Sequence, residues 1–163
     1  MVSAYIGLGS NLGDGIKNCK EALELMGSEP HTSVVERSSF YRTKPVGKKD
    51  QDWFINCVAR VTTKLKPMDL LFYLLHIERE MGRERIEKWG PRIIDLDILF
   101  YEDIVMEEDT LVIPHPLIKE RRFVLVPLAE LTPNLVHPVL KKDVSELLAQ
   151  CPKEGQEVEK VES

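Results

Sequence analysis

Two aspartates, Asp95 and Asp97, interrupt a run of large apolar residues that reads IIDLDILF. In a β-strand, residues i and i+2 project to the same side and lie about 6.6 Å apart. Two parallel carboxylates repel each other unless a cation lies between them, and burying an unpaired charge is costly. Because Mg²⁺ binds through one or two carboxylates together with substrate phosphates, the pair indicates a divalent-metal site. The alternative is that each acid pairs with an arginine such as Arg92.

Basic side chains flank this predicted strand on both sides in the sequence. They are Arg83, Arg85, Lys88 and Arg92 before it, and Lys119, Arg121 and Arg122 after it. The guanidinium fork of arginine matches phosphate oxygens in a bidentate manner. Cations gathered beside two carboxylates in a chain of formal net charge -5 indicate Mg²⁺ and a polyphosphate bound together. Glu84 and Glu87 are interleaved with the first group, so a solvated charged loop is the alternative.

A second set of side chains suits a flat heteroaromatic ligand. Phe54 and Asn56 share one face of a predicted strand, and Phe123 follows the second basic group. Aromatic rings offer a stacking surface, and an amide offers both a donor and an acceptor. Ordinary core packing of the two phenylalanines is the alternative. His115 lies near Arg121 in the sequence and is a candidate phosphate ligand, although a lone histidine is more often a surface or core residue.

Composition restricts the classes of protein to which the chain can belong. Its 163 residues predict one domain, 1–163, in which about 152–163 form a polar, frayed tail. The acidic net charge argues against a nucleic-acid-binding protein, and no apolar run is long enough for a membrane span. The three cysteines are far apart and form no CxxC motif, which is typical of a reducing cytoplasm and argues against a zinc site.

Hydrophobic periodicity and turn residues predict the order of the elements. Strands are expected at 4–9, 34–42, 54–63 and 93–100, and helices at 14–27 and 67–82, with further short pieces at 111–113, 124–131 and 143–150. This order predicts an α+β fold with a ferredoxin-like βαββαβ core, in which two helices cover one face of an antiparallel sheet and extra helical elements follow. Ile94, Leu96, Ile98 and Phe100 are expected to point into the core, away from the aspartates.

The motifs resemble those of the 6-hydroxymethyl-7,8-dihydropterin pyrophosphokinases of folate biosynthesis. The likeness is carried by KWGPRIIDLDI at 88–98, by YIGLGSNLG at 5–13 and by SSFYRT at 38–43, together with Asn56, Gly82-Arg83, PHP at 114–116 and RRF at 121–123. It extends over almost the whole chain. Phe54, Lys88, Thr110 and Pro116 depart from the residue types common in the family.

The resemblance implies transfer of pyrophosphate from ATP to the hydroxymethyl group of the dihydropterin, with release of AMP. It implies two Mg²⁺ ions on Asp95 and Asp97, and a monomer that acts in the cytoplasm on small molecules rather than on nucleic acid or membrane. The implied catalytic residues are Arg83, Arg92, Asp95 and Asp97. The implied ATP contacts are Glu78, Arg85, Lys88, Trp89, Arg92, Ile98, His115 and Arg121. The implied pterin contacts are Asn11, Thr43, Val46, Phe54, Asn56, Trp89, Asp95 and Phe123.

Two other functions stay open from the residues alone. Two-metal nucleases and nucleotidyltransferases also use acidic pairs, although the chain shows no broad basic surface for a nucleic acid. A non-catalytic module that binds RNA or a partner protein shares the predicted topology. Such RNA readers carry aromatic and basic residues along their central strands, whereas this strand presents acids.

Overall fold

The structure is a computed structural model and describes residues 1–43, 53–82 and 93–163. Its strands are β1 Val2–Ser10, β2 Thr32–Arg37, β3 Phe40–Thr43, β4 Phe54–Thr63, β5 Asp95–Tyr101, β6 Met106–Glu107, β7 Val112–Ile113 and β8 Val158–Glu162. Its helices are α1 Gly15–Gly27, α2 Pro67–Met81, α3 Arg122–Leu131 and α4 Val144–Gln150, with a 3₁₀ turn at Ile118–Glu120. None of the helices in these ranges is long and apolar enough to cross a membrane.

The main sheet is antiparallel, and its strands follow the order β5-β1-β4-β3-β8, with β2 also paired to β4. Strand β1 therefore lies between β4 and the edge strand β5. Gly9 of β1 stands opposite Asn56 on one side and Asp95 on the other. The register thus places the amide and the first aspartate in one row across the sheet.

The two faces of the sheet contribute to two different apolar cores. On the first face, Ile6 and Leu96 pack with side chains of α1 and α2 such as Met26 and Leu74. On the second face, Tyr5, Val58 and Phe100 pack with side chains from α3 and α4, namely Leu125, Leu128, Val144 and Leu147. The predicted α+β class, with helices against an antiparallel sheet and additional C-terminal helices, is confirmed.

A β-bulge reverses the expected direction of one core residue. Ile6 pairs with Ile98, but Tyr5 pairs with Phe100, so Leu99 is an extra residue in β5. An extra residue interrupts the alternation of a strand. Leu99 and Phe100 are consequently both buried in the second core, on the side of the aspartates, whereas Ile98 lies in the first core. The prediction was wrong for the direction of Phe100, and right for Leu96 and Ile98.

The predicted strand at 34–42 is divided at Ser38 and Ser39. The Ser38 hydroxyl accepts a hydrogen bond from the Val58 N–H and donates to the Ser39 carbonyl. Glu130 of α3 accepts hydrogen bonds from the Ser39 N–H and from the Tyr41 hydroxyl, the latter at 2.6 Å. Side chains thus provide hydrogen-bond partners for the backbone groups at the break. Because Glu130 is distant in the sequence, the local pattern of polar residues could not reveal the break.

The tail is ordered into β8, in contrast to the expected fraying. It pairs with β3, and Thr43 stands opposite Val158. Two ion pairs fix it from outside the sheet: Arg42 with Glu159 at 2.8 Å and Lys20 with Glu162 at 3.3 Å. These exposed pairs contribute little each, so the backbone ladder along β3 is the main reason for the order.

Candidate functional site

A cavity of about 1010 Å³ lies against β1, β4 and β5 and extends past the β5 edge to α2. It is walled on the other side by the start of α3 and by residues 154–156. Of the predicted site residues, those that line it are Thr43, Phe54, Asn56, Glu78, Asp95, Asp97, His115, Arg121 and Phe123. Residues separated widely in the sequence therefore meet in one cavity.

Asp95 and Asp97 both line this cavity, as their spacing predicts. Asp95 is half-buried and Asp97 is exposed, so neither carboxylate is enclosed in the apolar core. The N–H of Leu96 between them donates to the Glu78 carboxylate at 2.7 Å, which holds the edge strand against α2. The opposite side of the strand carries Leu96 and Ile98 into the first core. The acids are tolerated within an apolar run because alternation directs them into an open cavity and away from the core.

A histidine and an arginine stand beside the carboxylates. The N–H of Leu117 donates to Nδ1 of His115 at 3.2 Å, so the neutral ring carries its proton on Nε2. Burial lowers the pKa of His115; Asp97 opposes this shift and Arg121 adds to it. The ring is thus a neutral donor at pH 7, and Arg121 adds a positive charge to this side of the cavity.

The other end of the cavity combines rings with a fixed amide. Phe54 and Phe123 are both half-buried and line it from β4 and α3. The Thr43 hydroxyl donates to Oδ1 of Asn56 at 2.7 Å, which orients the amide and leaves its NH₂ group to donate elsewhere. A Cβ at Gly9 would lie only 2.9 Å from Nδ2 of Asn56. Glycine at this position leaves the amide the room it occupies.

Two predicted residues lie apart from the cavity lining. The side chain of Ile98 is 3% exposed and belongs to the first core. Asn11 is buried directly after β1, and it is not among the residues that line the cavity. Six further predicted residues lie outside the described ranges: Val46, Arg83, Arg85, Lys88, Trp89 and Arg92.

The sequence reasoning missed several residues of the lining. They include Gly7, Gly9, Leu71, Leu75, Leu117, Glu120 and the segment Glu154, Gly155 and Gln156. Gly7 and Gly9 lie within β1 and form the floor of the cavity beside the aspartates. Gly155 has φ of +74°, a turn conformation that its residue type could have indicated.

Comparisons with known proteins agree with one another. Residues 5–133 match the family described as 7,8-dihydro-6-hydroxymethylpterin-pyrophosphokinase. The chain is similar to the 2-amino-4-hydroxy-6-hydroxymethyldihydropteridine pyrophosphokinase of Methylorubrum extorquens, at 46% identity over 162 residues that cover 99% of this chain and 100% of the relative. A protein of the same name from Haemophilus influenzae is 44% identical, in a match that covers 85% of this chain and 86% of that protein.

A solved structure supports the fold. The Plasmodium falciparum HPPK-DHPS triple mutant with STZ-DHP superposes with a TM-score of 0.74 at 18% identity, over 91% of this chain. The chain spans 43% of that solved protein. At this identity the likeness concerns the fold alone.

Proposed function

Because the chain belongs to the 7,8-dihydro-6-hydroxymethylpterin-pyrophosphokinase family, we propose that it transfers the terminal pyrophosphate of ATP to the hydroxymethyl group of 6-hydroxymethyl-7,8-dihydropterin and releases AMP. The product places the chain in folate biosynthesis. The observation that carries the proposal is the composition of this cavity. It has a carboxylate pair with an arginine and a histidine beside it, and two rings with an oriented amide.

The carboxylate pair fits Mg²⁺. Within the described ranges, no group of three or more His, Cys, Asp or Glu side chains could hold a metal by itself. Asp95 and Asp97 would therefore supply two oxygen ligands, and phosphate oxygens and water would supply the rest, which is how Mg²⁺ usually binds nucleotides. The proposal includes two ions at this pair, which would neutralise phosphate charge when bound.

The pterin is proposed to lie between Phe54 and Phe123. The stacked ring would present its polar edge to the Nδ2 group of Asn56, which Thr43 holds in place at 2.7 Å. The half-burial of both phenyl side chains is consistent with faces that a ligand covers. The hydroxymethyl group would then point along the floor of glycines toward Asp95 and Asp97.

The triphosphate is proposed to lie across the aspartates toward His115 and Arg121. The Nε2–H of the neutral His115 ring and the guanidinium of Arg121 would donate to its oxygens. In the reaction the hydroxyl oxygen of the pterin attacks the β-phosphorus, the bond to the oxygen shared with the α-phosphate breaks, and the hydroxyl proton leaves to solvent. Such transfers depend on positioning and charge neutralisation more than on covalent help from the protein.

The nucleotide is proposed to border Glu78 and the edge of β5. Since the Leu96 N–H points outward to Glu78, the backbone groups of Ile98 point to the same edge two residues later. A contact of Ile98 with the nucleotide would therefore use its backbone, because its side chain is in the core. Asn11 is proposed to help shape the pterin pocket from the loop after β1.

Residues outside the described ranges complete the proposal on the strength of the family resemblance. Arg83 and Arg92 would stabilise the transferring group, and Arg85 and Lys88 would contact the triphosphate. Trp89 would close the site over both substrates, and the backbone of Val46 would contact the pterin edge. We also propose that the chain is a single-domain monomer that acts in the cytoplasm, without nucleic-acid or membrane partners.

The proposal is tested by incubating the purified chain with ATP, Mg²⁺ and the dihydropterin and separating the nucleotides. AMP should form only when the dihydropterin is present, at one AMP per pterin consumed. Formation of ADP instead would show single-phosphate transfer, and AMP without the pterin would show hydrolysis; either result would contradict the proposal. Cleavage of RNA or DNA under the same conditions would favour a metal-dependent nuclease.

A further inference from the structure

The C-terminal segment after α4 forms a wall of the cavity. Glu154, Gly155 and Gln156 line it together with Phe123 and Thr43. The segment is anchored on both sides: Cys151 before it is buried in the second core at 4% exposure, and β8 after it pairs with β3. It is therefore held against the same end of the cavity as the two phenyl rings.

Gln156 connects this segment to the start of α3. Its Oε1 accepts a hydrogen bond from the Arg122 backbone N–H at 2.9 Å. Its Nε2 donates to the Pro152 carbonyl at 3.1 Å, and its own N–H donates to the Lys153 carbonyl at 3.1 Å. One side chain thus closes the 152–156 turn and binds the first residue of the helix.

This contact replaces an ordinary helix cap. The residue before α3 is Arg121, which makes no side-chain capping bond of its own. The first N–H groups of a helix have no partner within the helix, and a side-chain acceptor stabilises them. The acceptor here comes from a residue 34 positions later in the chain.

The capped turn carries two proposed substrate contacts. Arg121 precedes the helix and Phe123 is its second residue, so the Arg122 N–H lies between them in the chain. We propose that Gln156 is a positioning residue for pterin binding: it fixes the first turn of α3 and thereby the ring of Phe123. This inference rests on the proposed function of the cavity.

The test is pterin binding by calorimetry with Mg²⁺ and a non-hydrolysable ATP analogue, on Gln156→Ala and on a matched control, Gln150→Ala. Gln150 also uses its side chain in one hydrogen bond, from Lys142 at 2.8 Å, but it does not line the cavity. Loss of the cap should weaken pterin binding roughly 3- to 10-fold in Gln156→Ala and leave Gln150→Ala unchanged. In turnover, KM for the pterin should rise by the same factor, with kcat at saturation within about twofold.

Two further comparisons distinguish positioning of the Phe123 ring from a general loosening of the C-terminal segment. Gln156→Glu retains an acceptor for the Arg122 N–H and should recover most of the affinity. In a Phe123→Ala background, Gln156→Ala should have no additional effect on pterin binding, because the ring through which it acts is gone. Thermal unfolding of each variant checks that the chain remains folded at the assay temperature. If Gln156→Ala is not folded there, Gln156→Met takes its place, because it removes the acceptor but keeps a side chain of similar length.

The outcomes distinguish this inference from the proposed function. If the wild-type chain binds no pterin, the proposed function is wrong and the positioning role is wrong with it. If the wild-type chain binds pterin but Gln156→Ala binds equally well, only the positioning role is wrong. The same conclusion would follow if Gln150→Ala lost as much affinity, or if the effects of Gln156→Ala and Phe123→Ala were additive.

Discussion

Gly9 is the position at which one added methyl group should distort the pterin end of the cavity. In Gly9→Ala, the new Cβ would lie 2.9 Å from Nδ2 of Asn56. Ordinary contact requires the amide to move by roughly 0.5 Å. The same amide accepts the 2.7 Å hydrogen bond from Thr43, so moving it strains that bond and shifts the donor that the pterin would use.

The size of the effect follows from the hydrogen bonds at risk. One hydrogen bond contributes about 0.5–1.5 kcal/mol net, so losing one contact to the pterin should weaken binding roughly 2- to 12-fold. Alanine is favoured over glycine within a strand by about 0.5–1 kcal/mol, which offsets part of the strain. The melting temperature should therefore change little while the affinity falls.

The assay is calorimetric titration of the dihydropterin with Mg²⁺ and an ATP analogue. Gly27→Ala is the matched control, because Gly27 does not line the cavity and its Cβ would be 3.9 Å from Cγ2 of Val34, an ordinary contact. Gly27→Ala should retain near-normal affinity. The reasoning fails if a folded Gly9→Ala binds the pterin as the wild type does, or if both glycine variants lose equally.

Three other predictions concern the metal pair, the amide and a buried ring. Asp95→Asn and Asp97→Asn should each lower turnover by about 100-fold or more at fixed Mg²⁺ while far-UV circular dichroism stays unchanged; near-normal turnover would exclude a metal role. Thr43→Val should raise KM for the pterin about 5-fold, since the oxygen of Asn56 loses its 2.7 Å donor; an unchanged KM would mean that this amide does not bind the pterin. Burial lowers the pKa of His137 and its Nδ1 accepts from backbone N–H groups, so the unfolded chain binds the proton more readily. Stability should therefore fall as pH drops below about 6.5, and His137→Asn should flatten the pH dependence of the melting temperature; equal slopes would contradict this.

The side of the strand on which the aspartates lie could be predicted from sequence because alternation is a local property. The spacing of Asp95 and Asp97 predicted that both lie on one side of the strand. The apolar residues Leu96 and Ile98 predicted that the other side faces the core. The same local rule failed at Phe100, because the bulge at Leu99 arises from the pairing of two strands and not from the residues of one.

The tail could not be predicted for a related reason. Three of the five residues of β8 are charged and four are exposed, which is typical of a disordered end. Their order comes from pairing with β3 and from Gln156, whose partner Arg122 is distant in sequence. The site roles of Phe54 and Phe123 were likewise undecided by pattern alone, since an aromatic residue lining a ligand cavity and one in a core look the same in a sequence.

The most direct test of the central claim is the fate of both transferred phosphates. The chain should be incubated with dihydropterin, Mg²⁺ and ATP labelled at the β- and γ-phosphorus, and the products separated. Both labels should appear together on the pterin, with one unlabelled AMP released per pterin, and excess EDTA should abolish the transfer. Transfer of the γ-label alone, or undiminished transfer in EDTA, would contradict pyrophosphate transfer at the Asp95 and Asp97 site.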